Sequence, residues 1–447
     1  MKDFNLNEDS IFLDEQTILG VATSSYQIEG AVKVDGRLES IWDRFTKTEG
    51  KVLNGDTGDI ACEHYYRFKE DVALIAALGF SAYRFSLAWP RILDIHGQIN
   101  TKGIDFYKRL LDELHKYSIK PFATLYHWDL PQYLEERGGW LNRETAYLYA
   151  DYSQKVMEKL GDRFASVATL NEPFVSSHLG YNFGIHAPGI KDEKAGFTAA
   201  HHLLLGHGLA MQAIRAENSK IDAGIVLNFT RIMGETKSHD DQISALVEEE
   251  YNNDWFIRPV LIGEYPKWLQ KLKSDKMPMI KEGDMQTICQ PLDFLGVNYY
   301  TRNITKAAGD ELRENVRIDD VERTYFDWEV YPEGLYDILT HFNEVYDLPP
   351  IYITENGCAY DDKIKDGFID DEARRSYYEK HLNAVDKAAK AGVPIKGYFA
   401  WSLMDNFEWA EGYDKRFGIV HMDFETLERT PKHSALAFQE LNQKRYK

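Results

Sequence analysis

Cysteine is scarce in this chain, and the three present, Cys62, Cys289 and Cys358, are odd in number and far apart. They make neither a disulfide framework nor a CxxC metal site, and they fit a reducing, cytoplasmic setting. No stretch approaches the ~18 consecutive apolar residues of a membrane span. Residues 1–16 are polar and acidic, without the basic and apolar regions of a secretory leader. Positive charge is in deficit: 52 Lys and Arg against 72 Asp and Glu give a formal net charge of −20. That balance speaks against nucleic acid or an anionic membrane as partner, and reads as solubility. Pro, Gly and Ser do not gather into a linker, and no low-complexity segment interrupts the chain. No GxGxxG follows the first apolar run, which weakens a dinucleotide fold. His201-His202 with His207 lack a metal-ligand spacing, so histidines satisfied within a core-facing helix are expected, with no metal and no cofactor.

What is there is a repeat of short apolar run, loop and longer amphipathic stretch. Strands are predicted at residues 18–23, 82–86, 121–125, 166–170, 224–228, 294–298, 351–354 and 395–400. Helices are predicted between them at 64–78, 103–117, 143–160, 198–217, 246–262, 334–345 and 371–391. Eight strands alternating with helices predict a (β/α)8 barrel, an α/β fold with residues 1–447 as a single domain. A doubly wound sheet is the alternative. The polar segment around 305–327 reads as a long loop over the barrel mouth. Glu248-Glu249-Glu250 reads as a solvated helix face.

In a barrel, chemistry sits at the C-terminal ends of the strands. The run Ile351-Tyr352-Ile353-Thr354 ends on Glu355-Asn356-Gly357, a carboxylate followed by a turn signal. Alone it reads as an exposed turn. A second carboxylate has the same placement, in Thr169-Leu170-Asn171-Glu172-Pro173. Other predicted strand ends carry Arg84, Tyr126-His127-Trp128-Asp129, Asn298-Tyr299-Tyr300, and Trp401 followed by Asp405-Asn406-Phe407-Glu408-Trp409. Amides, imidazoles and carboxylates suit sugar hydroxyls, and indole faces suit the C–H face of a sugar ring. Two carboxylates without a metal motif point to cleavage of a glycosidic bond, one carboxyl protonated and the other ionised. Their separation, and hence retention or inversion, is open at this level.

Ordered motifs then carry a resemblance over essentially the whole chain. They are Gly20-Val21-Ala22-Thr23-Ser24-Ser25-Tyr26-Gln27-Ile28-Glu29-Gly30, Tyr83-Arg84-Phe85-Ser86, His127-Trp128-Asp129, Asn171-Glu172-Pro173 and Gly184-Ile185-His186-Ala187-Pro188-Gly189, then Asn298-Tyr299-Tyr300, Thr354-Glu355-Asn356-Gly357 and Glu408-Trp409. The chain resembles the family 1 glycoside hydrolases, the β-glucosidase family. The resemblance implies a (β/α)8 barrel and a retaining double displacement, with Glu172 as acid/base and Glu355 as nucleophile. It implies that Arg84, Asn171 and Tyr300 support the nucleophile. Gln27, His127, Trp128, Asn298, Trp401, Glu408 and Trp409 would hold the sugar. Trp328 would be an aglycone platform or would pack its own loop.

Some positions depart from the family pattern. Phe174 stands where Trp is frequent on the leaving-group side, Leu38-Glu39 replace a frequent Gly-Pro, and Cys358 is unusual after Glu-Asn-Gly. Glu408 and Phe417 stand where phospho-specific relatives carry Ser and Tyr, while Lys415 does not discriminate. The expected substrates are neutral β-glucosides, with β-galactosides and β-fucosides beside them. The alternatives are a 6-phospho-β-glycosidase and a catalytically inactive sugar-binding protein. The expected partner is a small-molecule sugar, and the oligomeric state is open.

Overall fold

The computed structural model describes residues 3–308, 313–364 and 368–445. Eight parallel strands pair in chain order: β1 (Ile18–Ala22), β2 (Ala82–Ser86), β3 (Lys120–Tyr126), β4 (Ser166–Asn171), β5 (Asp222–Gly234), β6 (Phe294–Lys306), β7 (Ile351–Asn356) and β8 (Ile395–Trp401). β8 returns to β1 along the register Ile18↔Gly397 to Ala22↔Trp401, which closes the ring. The chain therefore builds the expected barrel, not the doubly wound sheet, and closure leaves its strands without a bare edge.

Aromatic rings plug the interior. Phe122 lies 5.0 Å from Phe399 and 5.4 Å from Tyr352, and Tyr352 lies 5.6 Å from Phe294, ring centre to ring centre. Neighbouring strands make room: a Cβ on Gly20 would come within 2.6 Å of the Phe399 ring. Four large rings thus fill the space that branched aliphatics occupy in many barrels.

Each expected strand is present, and two run far beyond their expected ends. β5 and β6 are each 13 residues long. Their residues 231–234 and 302–305 continue to pair beyond the barrel rim. The far end of β6 also meets an antiparallel segment, Glu314–Asn315. The predicted mouth loop is therefore partly a sheet extension, and its residues 309–312 lie outside the described residues.

The helices follow the predicted order, each with an apolar stripe toward the barrel. In Thr101–Lys116 the buried Ile104, Tyr107, Leu111 and Leu114 recur at helical spacing. Asp192 caps Glu193–Glu217 by accepting from the amides of Lys194 and Ala195. A helix after β8, His433–Lys444, was not predicted. Its buried face joins Phe438 and Leu441 to Ser434, Ala435, Ala437 and Asn442, so two large apolar residues are all that mark it in sequence.

The segment predicted at 246–262 begins at His239 and loosens over Glu250–Asp254 before Trp255–Ile262. This corrects the reading of Glu248-Glu249-Glu250. Glu248 is buried and paired with Arg313, Glu249 accepts from the Asn253 amide at 2.8 Å, and Glu250 accepts from the backbone of Leu269 at 2.6 Å. The wider turn swings these carboxylates off a solvated face. No helix among the described residues is long and apolar enough to cross a membrane.

Candidate active site

Both candidate carboxylates leave strands that are bulged at the barrel mouth. On β4 the steps from Ala168 to Asn171 face only Gly224 to Val226 on β5. On β7 the steps from Ile353 to Glu355 face the single step Val297 to Asn298 on β6. An extra residue in one strand re-aims the side chains that follow it. Glu172, just past β4, has φ 48°, and its amide donates to the Val226 carbonyl at 2.9 Å. Trp128 and Trp409 also hold positive φ, 77° and 48°. Such backbones are uncommon outside glycine and gather at functional sites. After β7, a Cβ on Gly357 would meet the Trp401 carbonyl at 1.8 Å. The Asn-Gly pair read as a turn is thus also a requirement for close approach to β8.

The two carboxylates have different partners. Arg84 Nη1 donates to Glu355 Oε1 at 2.7 Å, and the Tyr300 hydroxyl donates to Oε2 at 2.7 Å. Arg84 Nη2 donates to Asn171 Oδ1 at 2.6 Å. Glu172 receives a neutral donor, the Asn298 amide at 2.6 Å, and Asn298 in turn accepts from Thr354 Oγ1 at 2.6 Å. Burial first, and then the charge of Glu355, push the Glu172 carboxyl up to about 8. Desolvation is the larger cause and repulsion by Glu355 the smaller. Burial also raises Glu355, but Arg84 and Tyr300 pull it back toward the anion. Of the pair, Glu172 holds the proton.

Asn171 orders its neighbours further. Its Oδ1 accepts from Arg84 and from the Asn298 amide, so its amide nitrogen faces His127 Nε2 at 3.1 Å. Burial, then Arg84, keep His127 neutral. With Nε2 accepting, the proton resides on Nδ1, which is buried without a protein partner.

A cavity of about 720 Å³ opens above these groups. Of the residues singled out in the sequence, His127, Trp128, Glu172, Asn298, Tyr300, Trp328, Glu355, Trp401, Glu408, Trp409 and Phe417 line it. Arg84, Asn171 and Gln27 do not; they are fully or almost fully buried one layer behind. Gln27 donates to Asn406 Oδ1, the Phe407 carbonyl and Glu408 Oε2, so it braces the loop after β8. Trp409 is wedged between Trp128 and Trp42, with ring centres at 4.5 and 4.6 Å. Asp405, fully buried, holds the same loop by accepting from Lys432, Arg416 and the Gly418 amide.

Trp328 packs its own loop, stacking on Phe326 at 4.3 Å, and also lines the cavity. Phe174 does not line the cavity. Its ring packs instead against His178, Tyr251 and Phe256. Val175 and Leu179 take the wall, because the chain after Glu172 runs through an under-wound stretch, Val175–Asn182. Those wall residues, with Phe326, Lys51 and Lys191, carried no sequence signal; loop packing alone brings them there. His201 bonds Tyr265 and Asp284, His202 the Trp140 carbonyl, and His207 the Thr169 hydroxyl, as expected of core histidines.

A parallel barrel with a protonated and an ionised carboxyl in one polar, indole-lined cavity defines a glycoside hydrolase. The comparisons agree and narrow the class. The model of glycosyl hydrolase family 1 matches residues 10–446, and the chain belongs to that family. It is similar to beta-glucosidase A of Thermotoga maritima, 44% identical over 424 residues, covering 94% of this chain and 95% of the relative. It is also similar to a bifunctional beta-D-glucosidase/beta-D-fucosidase of Bifidobacterium breve, 42% identical over 444 residues, 93% and 95% of the two chains. Among solved structures, the AHE enzyme from Alicyclobacillus herbarius superposes with a TM-score of 0.94 at 48% identity, covering 97% of this chain and 99% of that one.

Proposed function

We propose that this protein is a retaining β-glucosidase acting on terminal non-reducing β-D-glucosyl residues, with residues 1–447 working as one catalytic domain. β-Galactosides and β-fucosides belong to the same proposal. The observation that carries it is the unlike environment of the two carboxyls: Glu355 held by Arg84 and Tyr300, and Glu172 raised to about 8. Glu355 attacks the anomeric carbon and forms a glycosyl ester while Glu172 protonates the departing oxygen. The ester removes the Glu355 charge and with it part of what held the proton on Glu172. Glu172 then takes a proton from water, which attacks the anomeric carbon and releases Glu355. Three free cysteines, Cys62, Cys289 and Cys358, support a reducing, cytoplasmic setting.

Hydrolysis of aryl β-glucosides followed by proton NMR tests this reading. The first product should be the β-anomer, which then mutarotates. An α-anomer in the first minutes would mean inversion and would remove the glycosyl-enzyme from the mechanism.

Neutral sugars are proposed over 6-phosphosugars, and Glu408 is the residue on which this turns. Burial first, and then Glu355, Glu411 and Glu172, push its carboxyl well above the ordinary range. A carboxyl that carries a proton both donates to and accepts from hydroxyls, whereas a phosphate dianion needs cations. Lys415, the nearest cation in sequence, is paired with Asp414 at 2.7 Å and lies over the Tyr325 ring. Phe417 offers no hydroxyl. Each hydrogen bond made by a neutral carboxyl is worth roughly 0.5–1.5 kcal/mol, so losing two costs about one to two decades in rate. Glu408→Ser should lower kcat/KM on a β-glucoside by that factor and narrow the gap to its 6-phosphate. Faster hydrolysis of the 6-phosphoglucoside by the wild type would reverse the assignment.

A further inference from the structure

Lys432 is the only buried lysine among the described residues, and a lysine seldom goes fully inside without partners. Its ammonium donates to Asp405 Oδ1 at 2.7 Å and to Asp362 Oδ2 at 2.5 Å. From there the charges alternate in both directions. Asp405 Oδ2 accepts from Arg416 at 2.9 Å, and Asp362 accepts from Arg374 Nη1 and Nη2 at 3.0 and 2.6 Å. Arg374 in turn donates to Asp371 at 2.8 Å. Three cations and three carboxylates thus form one chain, and of the six only Arg416 has a side chain appreciably exposed, 22%. Against the cost of burial, Arg374 and then Lys432 hold the Asp362 carboxyl below the usual carboxylate range.

These charges join segments that are distant in sequence. Asp371 and Arg374 stand at the start of the helix Glu372–Lys390, Lys432 precedes the helix His433–Lys444, and Asp405 belongs to the loop after β8. Arg374 also donates to the Cys358 carbonyl at 3.3 Å, just beyond Glu355, and to the Arg416 carbonyl at 2.8 Å, beside the cavity residue Phe417. Glu408 lies on the same loop as Asp405 and is held from two sides. Gln27 donates to its carboxyl at 3.3 Å, and Asp405 anchors the loop by accepting from the Gly418 amide at 2.9 Å as well as from Lys432. Exchanging a buried ion pair for apolar residues is often neutral for stability. What the ions supply here is geometry: each bond fixes one segment against the next, and the loop bearing Glu408 is the one that reaches the cavity.

We propose that Lys432 is a positioning residue for the sugar end of the site, setting the reach of Glu408 through Asp405 and so the preference for sugars that carry a 6-hydroxyl. Lys432 itself stands behind the cavity and does not line it. The inference rests on the reading above, in that Glu408 faces the 6-position. Without the ammonium, Asp405 and Asp362 face each other with no cation between them, and like charges in a buried setting repel strongly. The loop shifts, and Glu408 with it, which weakens hydrogen bonds that depend steeply on distance and angle.

The test is the ratio of kcat/KM for 4-nitrophenyl β-D-glucoside to that for 4-nitrophenyl β-D-xyloside, which lacks the 6-hydroxymethyl group. A smaller folded fraction scales both rates alike, so the ratio is blind to a simple loss of stability. In Lys432→Met it should fall about fivefold, the size of one lost hydrogen bond. Glu408→Ser should lower the same ratio. Adding Lys432→Met to it should then change the ratio by less than about twofold, because a residue that acts through Glu408 has nothing left to act on. Arg416→Met loosens the same Asp405 carboxylate from a partly exposed position. It should move the ratio in the same direction, and it carries the test if Lys432→Met does not fold. An unmoved ratio in whichever of these variants folds, or full additivity with Glu408→Ser, would overturn the proposal and leave the glycosidase reading standing. An unmoved ratio in Glu408→Ser itself would take Glu408 away from the 6-position and overturn that assignment together with the proposal.

Discussion

Glu355→Gly should abolish turnover, and added azide should restore it on an activated β-glucoside with the α-glucosyl azide as product. Without the carboxylate no glycosyl ester forms, and loss of a covalent nucleophile costs on the order of 10⁶ in kcat. Azide fits the space vacated on the α face and attacks the same carbon, which is why its product has the opposite anomeric configuration to the substrate. The structure adds a second readout. Arg84 is buried and spends its charge on Glu355. Removing one partner of a buried pair leaves the other uncompensated and costs about 3–5 kcal/mol. The variant should therefore melt lower than the wild type, and azide should raise its Tm by placing an anion beside Arg84. Wild-type-like turnover without azide would disprove the nucleophile assignment. Rescue of turnover without a Tm shift would show that Arg84 does not depend on Glu355 for its charge balance.

Glu172→Ala should separate substrates by leaving group. A positioned general acid contributes typically 10²–10⁴-fold. That loss should appear in full for an alkyl or plain phenyl glucoside. With 2,4-dinitrophenyl β-glucoside the first step needs no proton, so a burst of dinitrophenol should precede slow release of the sugar. The pH profile follows from the proton on Glu172. Its carboxyl titrates at about 8, the protonated form is the acid, and kcat/KM of the wild type should fall as pH rises through that value. Glu172→Ala should lack this basic limb. Equal losses for both leaving groups in single-turnover measurements, or a variant that keeps the limb, would assign the acid elsewhere.

Much of this was legible without coordinates because strand and helix periods are local. The short apolar runs from Ile18 to Trp401 were each a strand, and closure into a barrel followed from their number and alternation. Glu172 and Glu355 could be singled out because each ends an apolar run at a turn, and because the motifs around them match a known family in order. The last helix escaped notice, since its buried face sets only Phe438 and Leu441 among the small or polar Ser434, Ala435, Ala437 and Asn442.

What the sequence determined by itself was the barrel, its strand order and the identity of the two carboxyls and their indole-rich surroundings. Tertiary structure alone decided the rest. The bulges on β4 and β7 depend on how each strand registers against its neighbour, and residue order along one strand does not encode that register. The raised Glu172 is mainly a matter of burial, which is a property of everything packed around it. Gln27 and Asn171 stand behind the cavity instead of lining it, because each spends its hydrogen-bonding groups on the side chains or loop that do. Phe174 turns into a cluster with Tyr251 and Phe256, and Lys51 and Lys191, about 140 residues apart in the chain, both line the cavity. Positions set by loop packing carry no period, so only the folded chain reveals them.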